Sequence, residues 1–233
     1  MAQKSRELVV HSDPKSVGSE AFRTLRTNLH FTSPDRDLRS ILMTSSGPSE
    51  GKSTVIANLA VAFSQSGHRT LLIDCDLRKP TVHKIFGMHN APGLTSYLVG
   101  EVGLDKIIRD TGIPNLSVIP SGPVPPNPAE LVGSKVMKDC VEWATQEYDM
   151  VLIDAPPIVA VTDAAILSTL VDGVLLTVHS GKVPREMAQH AKSLLDKANA
   201  RILGVVLNRI NPKEQRSYQY YYYYAETAGT SDD

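Results

Sequence analysis

Residues 41–54 read ILMTSSGPSEGKST, an apolar run followed by a loop of small residues and a Gly-Lys-Ser-Thr core. The apolar residues 41–44 predict a buried strand, and the core at 51–54 is placed to open a helix. Such a loop points its backbone N–H groups and the positive end of a helix at an anion. The pattern therefore predicts a phosphate-binding loop, in which Lys52 contacts the β- and γ-phosphates of ATP and Ser53 binds Mg²⁺.

The other predicted nucleotide contacts lie in the same loop and at the end of the last strand-like run. The usual first glycine of such a loop is Ser46 here, and Gly47 follows it. The amide of Asn208 is suited to the edge of a purine, although an Asn after a strand is more often a turn residue. The predicted nucleotide contacts are Gly47, Ser49, Glu50, Gly51, Lys52, Ser53, Thr54, Asn208 and Arg209.

Apolar runs alternate with helical patterns along the chain, which predicts an α/β fold with a mostly parallel sheet. The runs are nearly continuously apolar, as expected of strands that are covered by helices on both faces. After the first, they lie at residues 70–73, 116–119, 150–153, 174–178 and 202–207. Helices are predicted at residues 53–66 (followed by Gly67), 136–147 and 184–198 (with Pro184 in its first turn), and a short one starts at 129–131.

Three aspartates follow two of these runs. Asp74 and Asp76 end the run at 70–73, and their spacing points both side chains to one side of an extended segment. Asp154 ends four apolar residues, which is a Walker B pattern. Because the carboxyl ends of parallel strands face the nucleotide crevice, these aspartates and Lys52 form the predicted catalytic set. Asp74 would accept a proton from a hydroxyl or hold a metal-bound water, and Asp76 and Asp154 would help to hold Mg²⁺.

Two further charged residues have open roles. Arg78 is suited to stabilise phosphate charge or to contact a neighbouring subunit. Asp163 has a simpler interpretation as a residue at a helix start.

Most of the chain's tyrosines cluster near its end, at Tyr218, Tyr220, Tyr221, Tyr222, Tyr223 and Tyr224. Five consecutive tyrosines cannot all be buried in one strand or helix. The flanking residues are polar or small, so residues 211–233 are predicted to form a flexible tail. Beside an ATP site, this row of hydroxyls predicts phosphoryl transfer onto the protein's own tail, and an adventitious terminal segment is the alternative.

Composition narrows the class of protein. The chain has 233 residues, 42% of them hydrophobic, and a net charge of −1. These values suit one globular domain, residues 1–210, and give no bulk positive charge for nucleic acid. The lone cysteines, Cys75 and Cys140, fit a reducing cytoplasm. No signal peptide and no run of roughly 20 apolar residues is present, so we expect membrane association only through a partner.

Residues 20–29 read EAFRTLRTNL, an amphipathic helical pattern. Its charged residues, Glu20, Arg23 and Arg26, recur at spacings of three along one face. Taken alone, this is an ordinary helix with solvated charges.

The ordered set of motifs resembles the bacterial tyrosine kinases of the capsular and exopolysaccharide type (BY-kinases), in the form with a separate cytoplasmic domain. The resemblance covers nearly the whole chain. It rests on the loop at 48–53, a second Walker motif at 72–80, the segment 121–131, the Walker B segment and the tyrosine cluster.

The resemblance implies ATP-dependent autophosphorylation of the tyrosine cluster, mainly between subunits, with Asp74 as the base. It also places Glu20, Arg23 and Arg26, in a helix at about 16–31, in the family's motif for oligomerisation into a ring. Family members of this form are activated by a membrane adaptor whose cytoplasmic tail docks on the kinase at the inner face of the membrane. They regulate polysaccharide polymerisation and export, and some phosphorylate other proteins.

One position departs from the family pattern. The family loop usually reads Pro-Gly-x-Gly-Lys, whereas the middle glycine is Ser49 here. If that position needs a positive φ, serine costs roughly 1–2 kcal/mol of strain, which would weaken nucleotide affinity. The predicted phosphate and Mg²⁺ ligands are intact, so we expect activity to survive.

Two other functions stay open. A ParA/MinD-type ATPase switch shares the fold and both Walker motifs, but its extra lysine early in the loop is Gly47 here. A non-catalytic ATP-binding scaffold of an export complex is the second, and the intact Asp74, Asp76 and Asp154 argue against it. Hydrolysis without phosphotyrosine would indicate the switch, and nucleotide binding with neither would indicate the scaffold.

Overall fold

The computed structural model describes residues 8–32 and 37–210. The predicted tyrosine tail, 211–233, lies outside the described residues. None of the helices in the described ranges has the length and apolar character that crossing a bilayer demands.

Within those ranges, the strands form one sheet in the order β3-β4-β2-β5-β1-β6-β7. The strands are β1 (Ser40–Ser45), β2 (Thr70–Asp74), β3 (Arg109–Asp110), β4 (Leu116–Ile119), β5 (Met150–Asp154), β6 (Gly173–His179) and β7 (Ile202–Asn208). All pairings are parallel except that of β3 with β4. The predicted α/β class with a mostly parallel sheet is confirmed.

The helices are α1 (Val9–Ser12), α2 (Val17–Phe31), α3 (Lys52–Gln65), α4 (Val82–Phe86), α5 (Leu94–Leu98), α6 (Pro128–Val132), α7 (Lys135–Glu147), α8 (Asp163–Ser168) and α9 (Arg185–Lys197). Serine side chains cap two of them. Ser16 accepts a hydrogen bond from the backbone N–H of Ser19 in α2, and Ser134 does the same from Met137 in α7. These caps satisfy N–H groups that the first turn of a helix leaves without partners.

The sheet is covered on both faces, as its apolar strands predict. Leu71 and Ile73 of β2 pack into one apolar cluster, whereas Leu72 between them packs into the other. Successive strand residues alternate between faces, so a strand covered on both sides needs apolar residues throughout. Helices α7 and α9 contribute to the first cluster, and α3 contributes to the second.

Several element bounds correct the predictions. Helix α3 begins one residue earlier than predicted, at Lys52, and Pro184 is the residue before α9 rather than part of its first turn. The two-residue β3 and the short helices α4 and α5 were not predicted, because such elements carry too few residues to show a period. Gly67 has φ 93° just past α3, and the short helix predicted at 129–131 is α6.

Candidate nucleotide and catalytic site

The site lies where β1, β2 and β5 end at the same edge of the sheet. Asp74 of β2 and Asp154 of β5 are register partners, and Met43 of β1 is the partner of Asp154 on its other side. The loop that follows β1 leads into α3, so this parallel register brings Lys52 beside the aspartates. The predicted convergence of the two Walker motifs is therefore present in the fold.

Lys52 is the centre of this group. Its Nζ atom lies 2.8 Å from Oδ2 of Asp76, 3.2 Å from Oδ1 of Asp154 and 3.2 Å from Oγ of Ser53. Ser53 accepts from Lys52 and in turn donates a hydrogen bond of 2.5 Å to Oδ2 of Asp154. One ammonium group thus sits among three oxygen-bearing side chains.

Burial and the neighbouring charges shift the pKa values of Lys52 and Asp154 in opposite directions. Burial lowers the pKa of the Lys52 ammonium, but Asp154 and Asp76 outweigh that effect, and the pKa is raised overall. Burial also raises the pKa of Asp154, although Lys52 and the Ser53 hydroxyl act in the other direction. The lysine therefore stays charged, which is the state that an anionic substrate requires.

Asp74 is completely buried and does not contact Lys52 directly. Its Oδ1 accepts a hydrogen bond from the N–H of Asp76 at 3.2 Å, and its Oδ2 accepts one from Val82 at 3.1 Å. Burial and then the neighbouring Asp154 raise its pKa well above the usual value. A raised pKa suits a proton acceptor, and the two backbone contacts also make this carboxylate a brace for the segment between β2 and α4.

The phosphate loop has a positive φ at two residues, Ser49 and Gly51. Ser49 has φ 64°, so the condition for strain at this usual glycine position is met. Gly51 has φ 91°, and a Cβ there would lie 2.2 Å from Nδ2 of Asn208. Only glycine fits at residue 51.

The predicted contacts Asn208 and Arg209 occupy different surroundings. Nδ2 of Asn208 donates to the carbonyl of Glu50 at 2.9 Å, and its Oδ1 accepts from the N–H of Arg209 at 2.9 Å. The Asn208 amide therefore fastens β7 to the loop, and purine binding would use only its remaining N–H and lone pair. Arg209 is exposed and lines the nucleotide cavity, so its predicted contact stays open to it.

Glu50 turns its side chain into the loop itself. Its Oε1 accepts from the Ser46 hydroxyl at 2.5 Å and also from the N–H of Gly47. Its Oε2 is buried without a hydrogen-bond partner among the described residues. The Glu50 carboxylate thus links the start of the loop to its middle.

A cavity of about 410 Å³ opens over these residues. From the predicted set, its lining includes Ser49, Gly51, Lys52, Ser53, Thr54, Asp76 and Arg209. The lining residues do not include Gly47, Glu50, Asn208, Asp74 or Asp154. It does include three polar residues that were not predicted, Lys79, Thr81 and Lys84, and the only sequence signal for them was the nearness of the two lysines to Asp74 and Asp76.

Arg78 and Asp163 form a pair beside this site. Nε and Nη2 of Arg78 lie 2.9 and 3.0 Å from the two carboxylate oxygens of Asp163, which is fully buried. Asp163 is the first residue of α8, as a helix-start residue was predicted to be, but its carboxylate serves Arg78. The guanidinium fork is thereby engaged within the chain.

The helix α2 lies away from the cavity, and its charged residues make contacts within the chain. Arg23 pairs with Glu20 at 2.8 Å and donates to the carbonyl of Pro14 at 2.6 Å. Arg26 donates to the carbonyl of Ala62 at 2.7 Å, near the end of α3. The predicted role of this motif in oligomerisation stays a prediction.

The residues present fit a nucleotide and Mg²⁺. The Lys52 ammonium shows that one hydroxyl and two carboxylates converge on a cation. No group of three or more His, Cys, Asp or Glu side chains within residues 8–32 and 37–210 is arranged to hold a metal. One hydroxyl and two carboxylates are the protein donors expected for Mg²⁺, which binds to one or two carboxylates and completes its shell with water and substrate phosphates.

Comparisons with known proteins show the family to which this chain belongs. Residues 40–200 match the family described as "AAA domain". The tyrosine-protein kinase YwqD of Bacillus subtilis is 45% identical over 220 residues, which cover 94% of this chain and 93% of YwqD. A crystal structure of the chimerical protein CapA2B2 has a TM-score of 0.86 at 42% identity, covering 88% of this chain and 90% of the other. The kinase domain of the Escherichia coli tyrosine kinase ETK has a TM-score of 0.84 at 36% identity, covering 86% and 79%.

The fold is shared more widely. The septum site-determining protein MinD of Pyrococcus horikoshii, complexed with Mg-ADP, has a TM-score of 0.64 at 25% identity, covering 77% of this chain and 76% of MinD. This likeness is weaker than that to the kinase domains. On sequence and structure together, the chain belongs to the family of bacterial tyrosine-protein kinases.

Proposed function

We propose that this protein is an ATP-dependent protein-tyrosine kinase that phosphorylates the tyrosines of its own tail, Tyr218 and Tyr220 to Tyr224, between subunits. The observation that carries the proposal is the contact of Lys52 with Asp76, Asp154 and Ser53 in the loop cavity. The same chain supplies the hydroxyl-bearing acceptor within its own sequence.

The chain's residues divide the work of phosphoryl transfer. Lys52 leaves its carboxylate partners to contact the β- and γ-phosphates and offsets their charge. Ser53, Asp76 and Asp154 would hold Mg²⁺, which would neutralise charge on the transferred group. Asp74 takes the proton from the attacking tyrosine hydroxyl when it is itself deprotonated, and because burial raises its pKa it is then a stronger base than an exposed carboxylate.

Family membership supports a proposal for the wider setting of this activity. The helix α2, with Glu20, Arg23 and Arg26, would contact a neighbouring subunit in a ring. A membrane adaptor would dock on the kinase through its cytoplasmic tail and bring this protein to the inner face of the membrane. The process regulated would be capsular or exopolysaccharide synthesis and export, and other proteins would serve as further substrates.

An ATPase switch is the second candidate, because the MinD fold is shared. The switch predicts hydrolysis of ATP with tyrosines unmodified. Gly47 stands where that class has its extra lysine, and it carries no side chain to reach a partner's nucleotide. The tail tyrosines have no role in such a switch.

The test is incubation of the purified chain with Mg²⁺-ATP, with and without the cytoplasmic tail of a candidate adaptor, followed by mapping of phosphotyrosine by mass spectrometry. We expect phosphate on the tail tyrosines and a drop of about 10²–10³-fold in Lys52→Met, because the γ-phosphate loses its counter-charge. Replacing the tail tyrosines by phenylalanine should abolish the modification but leave ATP binding intact. Hydrolysis with unmodified tyrosines under both conditions would transfer the assignment to the switch.

A further inference from the structure

Lys79 and Lys84 line the nucleotide cavity, yet the structure gives neither lysine a carboxylate partner among residues 8–32 and 37–210. Both side chains are exposed, in contrast to Lys52, whose side chain is 10% exposed. The two lysines therefore stand at the mouth of the cavity, and Lys52 stands at its floor. Charges at the mouth are available to a group that arrives after the nucleotide.

The charge around the cavity is unbalanced. Asp76 is the acidic residue of the lining, and Lys52 already pairs with it at 2.8 Å. The remaining lining charges, Lys79, Lys84 and Arg209, are all positive. Thr81, also in the lining, has a buried hydroxyl with no hydrogen-bond partner among the described residues. The side chains of Lys79 and Lys84 and the Thr81 hydroxyl are therefore hydrogen-bond donors for which the described residues supply no acceptor.

The position of this set points to the acceptor side of the reaction. Arg209 lies near Gly51 of the phosphate loop, since its Nε would be 4.0 Å from a Cβ at that glycine. Lys79 and Lys84 instead follow Asp74 and Asp76 on the segment that leads from β2 into α4. That segment also carries the proposed base, Asp74, so both lysines lie within ten residues of the group that would take the proton from an incoming tyrosine.

We propose that Lys79 and Lys84, with the Thr81 hydroxyl, form a phosphotyrosine-binding site that retains a newly phosphorylated tail while its next tyrosine reacts. The inference rests on the proposed function, because it needs tail tyrosines as substrates. Each new phosphate adds about −1.5 to −2 charges, which two lysines can neutralise. In an extended tail, a shift of two residues moves the chain by about 7 Å and presents the next tyrosine on the same side.

Retention of the product predicts processive phosphorylation. Alternate tyrosines of the run, Tyr220, Tyr222 and Tyr224, would then be modified in one encounter. Since the site consists of exposed charges, its effect should weaken as salt shortens the Debye length from about 10 Å at 0.1 M to about 3 Å at 1 M.

Binding is measured first, by fluorescence anisotropy with a synthetic peptide of residues 215–226 that carries phosphate on Tyr222. The protein is the full chain with its six tail tyrosines replaced by phenylalanine. We expect Lys79→Gln/Lys84→Gln to weaken phosphopeptide binding about five- to ten-fold, the scale of two exposed charge-assisted contacts. Thr81→Val should weaken it about two-fold or more, because only a hydrogen-bonding group is removed. The matched control, Lys106→Gln/Lys192→Gln, removes two exposed lysines outside the cavity lining and should leave binding unchanged.

Each outcome of the binding assay either supports or overturns the proposed phosphotyrosine site. Equal phosphopeptide affinity in the two double variants overturns it. A parallel loss of ATP affinity in Lys79→Gln/Lys84→Gln also overturns it, because the lysines would then serve the nucleotide. A synthetic phosphopeptide reports on the site without any catalysis, so the assay separates failure of this site from failure of the kinase assignment.

Retention is measured on the chain with its own tyrosines, by intact mass spectrometry at early times. We expect multiply phosphorylated chains beside unmodified ones, and a shift to singly phosphorylated chains in Lys79→Gln/Lys84→Gln. The same stepwise distribution in both proteins overturns retention. If the unaltered chain makes no phosphotyrosine, the proposed function fails and the retention step fails with it.

Discussion

Arg78 donates two hydrogen bonds of nearly equal length, 2.9 and 3.0 Å, to the carboxylate of Asp163, which is 85 positions away in sequence. The contact joins the segment after β2 to the start of α8, and Asp163 is fully buried whereas the Arg78 side chain is 37% exposed. Because Asp74 and Asp76 precede Arg78 in that segment, we expect the pair to help hold the proposed catalytic carboxylates in place.

Asp163→Ala should lower the free energy of unfolding by about 1–3 kcal/mol, less than for a fully buried pair, because water can solvate the exposed part of Arg78. Chemical denaturation measures this change. Asp105→Ala is the matched control, since it removes an exposed partner of Lys106 and should cost less than about 0.5 kcal/mol. Equal losses of unfolding free energy in the two variants would show that the pair of Arg78 and Asp163 stabilises the fold no more than an exposed ion pair does.

Ser49→Gly should relieve the strain of a serine at φ 64°. The expected gain is about 0.5–1 kcal/mol in the free energy of unfolding, since the greater freedom of glycine in the unfolded chain offsets part of the strain. The same change should tighten ATP binding modestly if the loop relaxes towards its bound form. Thermal unfolding and titration calorimetry test the two effects, and destabilisation by glycine would contradict the strain argument.

The stability of the nucleotide-free protein should fall as pH rises because of Asp74. Its folded pKa is raised well above its usual value of 3.8, so the folded state keeps a proton that the unfolded state releases. Stability from this group is complete below pH 3.8 and is lost as pH rises through the folded pKa. Urea denaturation across this window, compared with Asp74→Asn, isolates the effect. An identical slope of stability against pH in both proteins would contradict it.

The two cysteines should be unreactive while the protein is folded. Burial raises the pKa of Cys140 to about 12 and that of Cys75 well above its usual value, and both side chains are fully buried. The thiolate is the reactive form, so a thiol reagent should modify neither residue at neutral pH. Two thiols should react after unfolding in guanidinium chloride. Rapid modification of the folded protein would contradict the burial of this core.

Phosphorylation of several tyrosines in each tail should loosen the proposed ring, because Lys79 and Lys84 of one site can neutralise only one phosphate. Each phosphate adds about −1.5 to −2 charges, and tails brought together in an assembly would repel one another. Sizing chromatography before and after treatment with Mg²⁺-ATP measures the change. The variant with phenylalanine in place of the tail tyrosines is the control, and an unchanged elution volume for the phosphorylated protein would refute the effect.

The fold and the centre of the site could be predicted from sequence because their signals are local. The runs that became β1, β2 and β5 are continuously apolar and end in functional residues, so one rule about parallel strands places Lys52 near Asp76 and Asp154. The two-residue β3 carries no such signal.

Contacts between distant residues could not be predicted in the same way. Nothing in the local sequence pairs Arg78 with Asp163, and its guanidinium was open to a phosphate or to another subunit. The amide of Asn208 suggested a purine contact, but the packing of β7 against the loop gives it the carbonyl of Glu50. Lys84 joins the cavity only because α4 folds back towards the loop.

The hydrogen bond from Asn208 to the Glu50 carbonyl connects the end of β7 mechanically to the phosphate loop. The two residues are 158 positions apart in sequence, and Asn208 lies only three residues before the start of the tyrosine tail. Tension on the tail, from a neighbour that holds it or from an adaptor that displaces it, would pass along β7 and pull directly on the loop that cradles phosphate. We therefore expect the position of the tail to influence nucleotide binding through the hydrogen bond between Asn208 and Glu50.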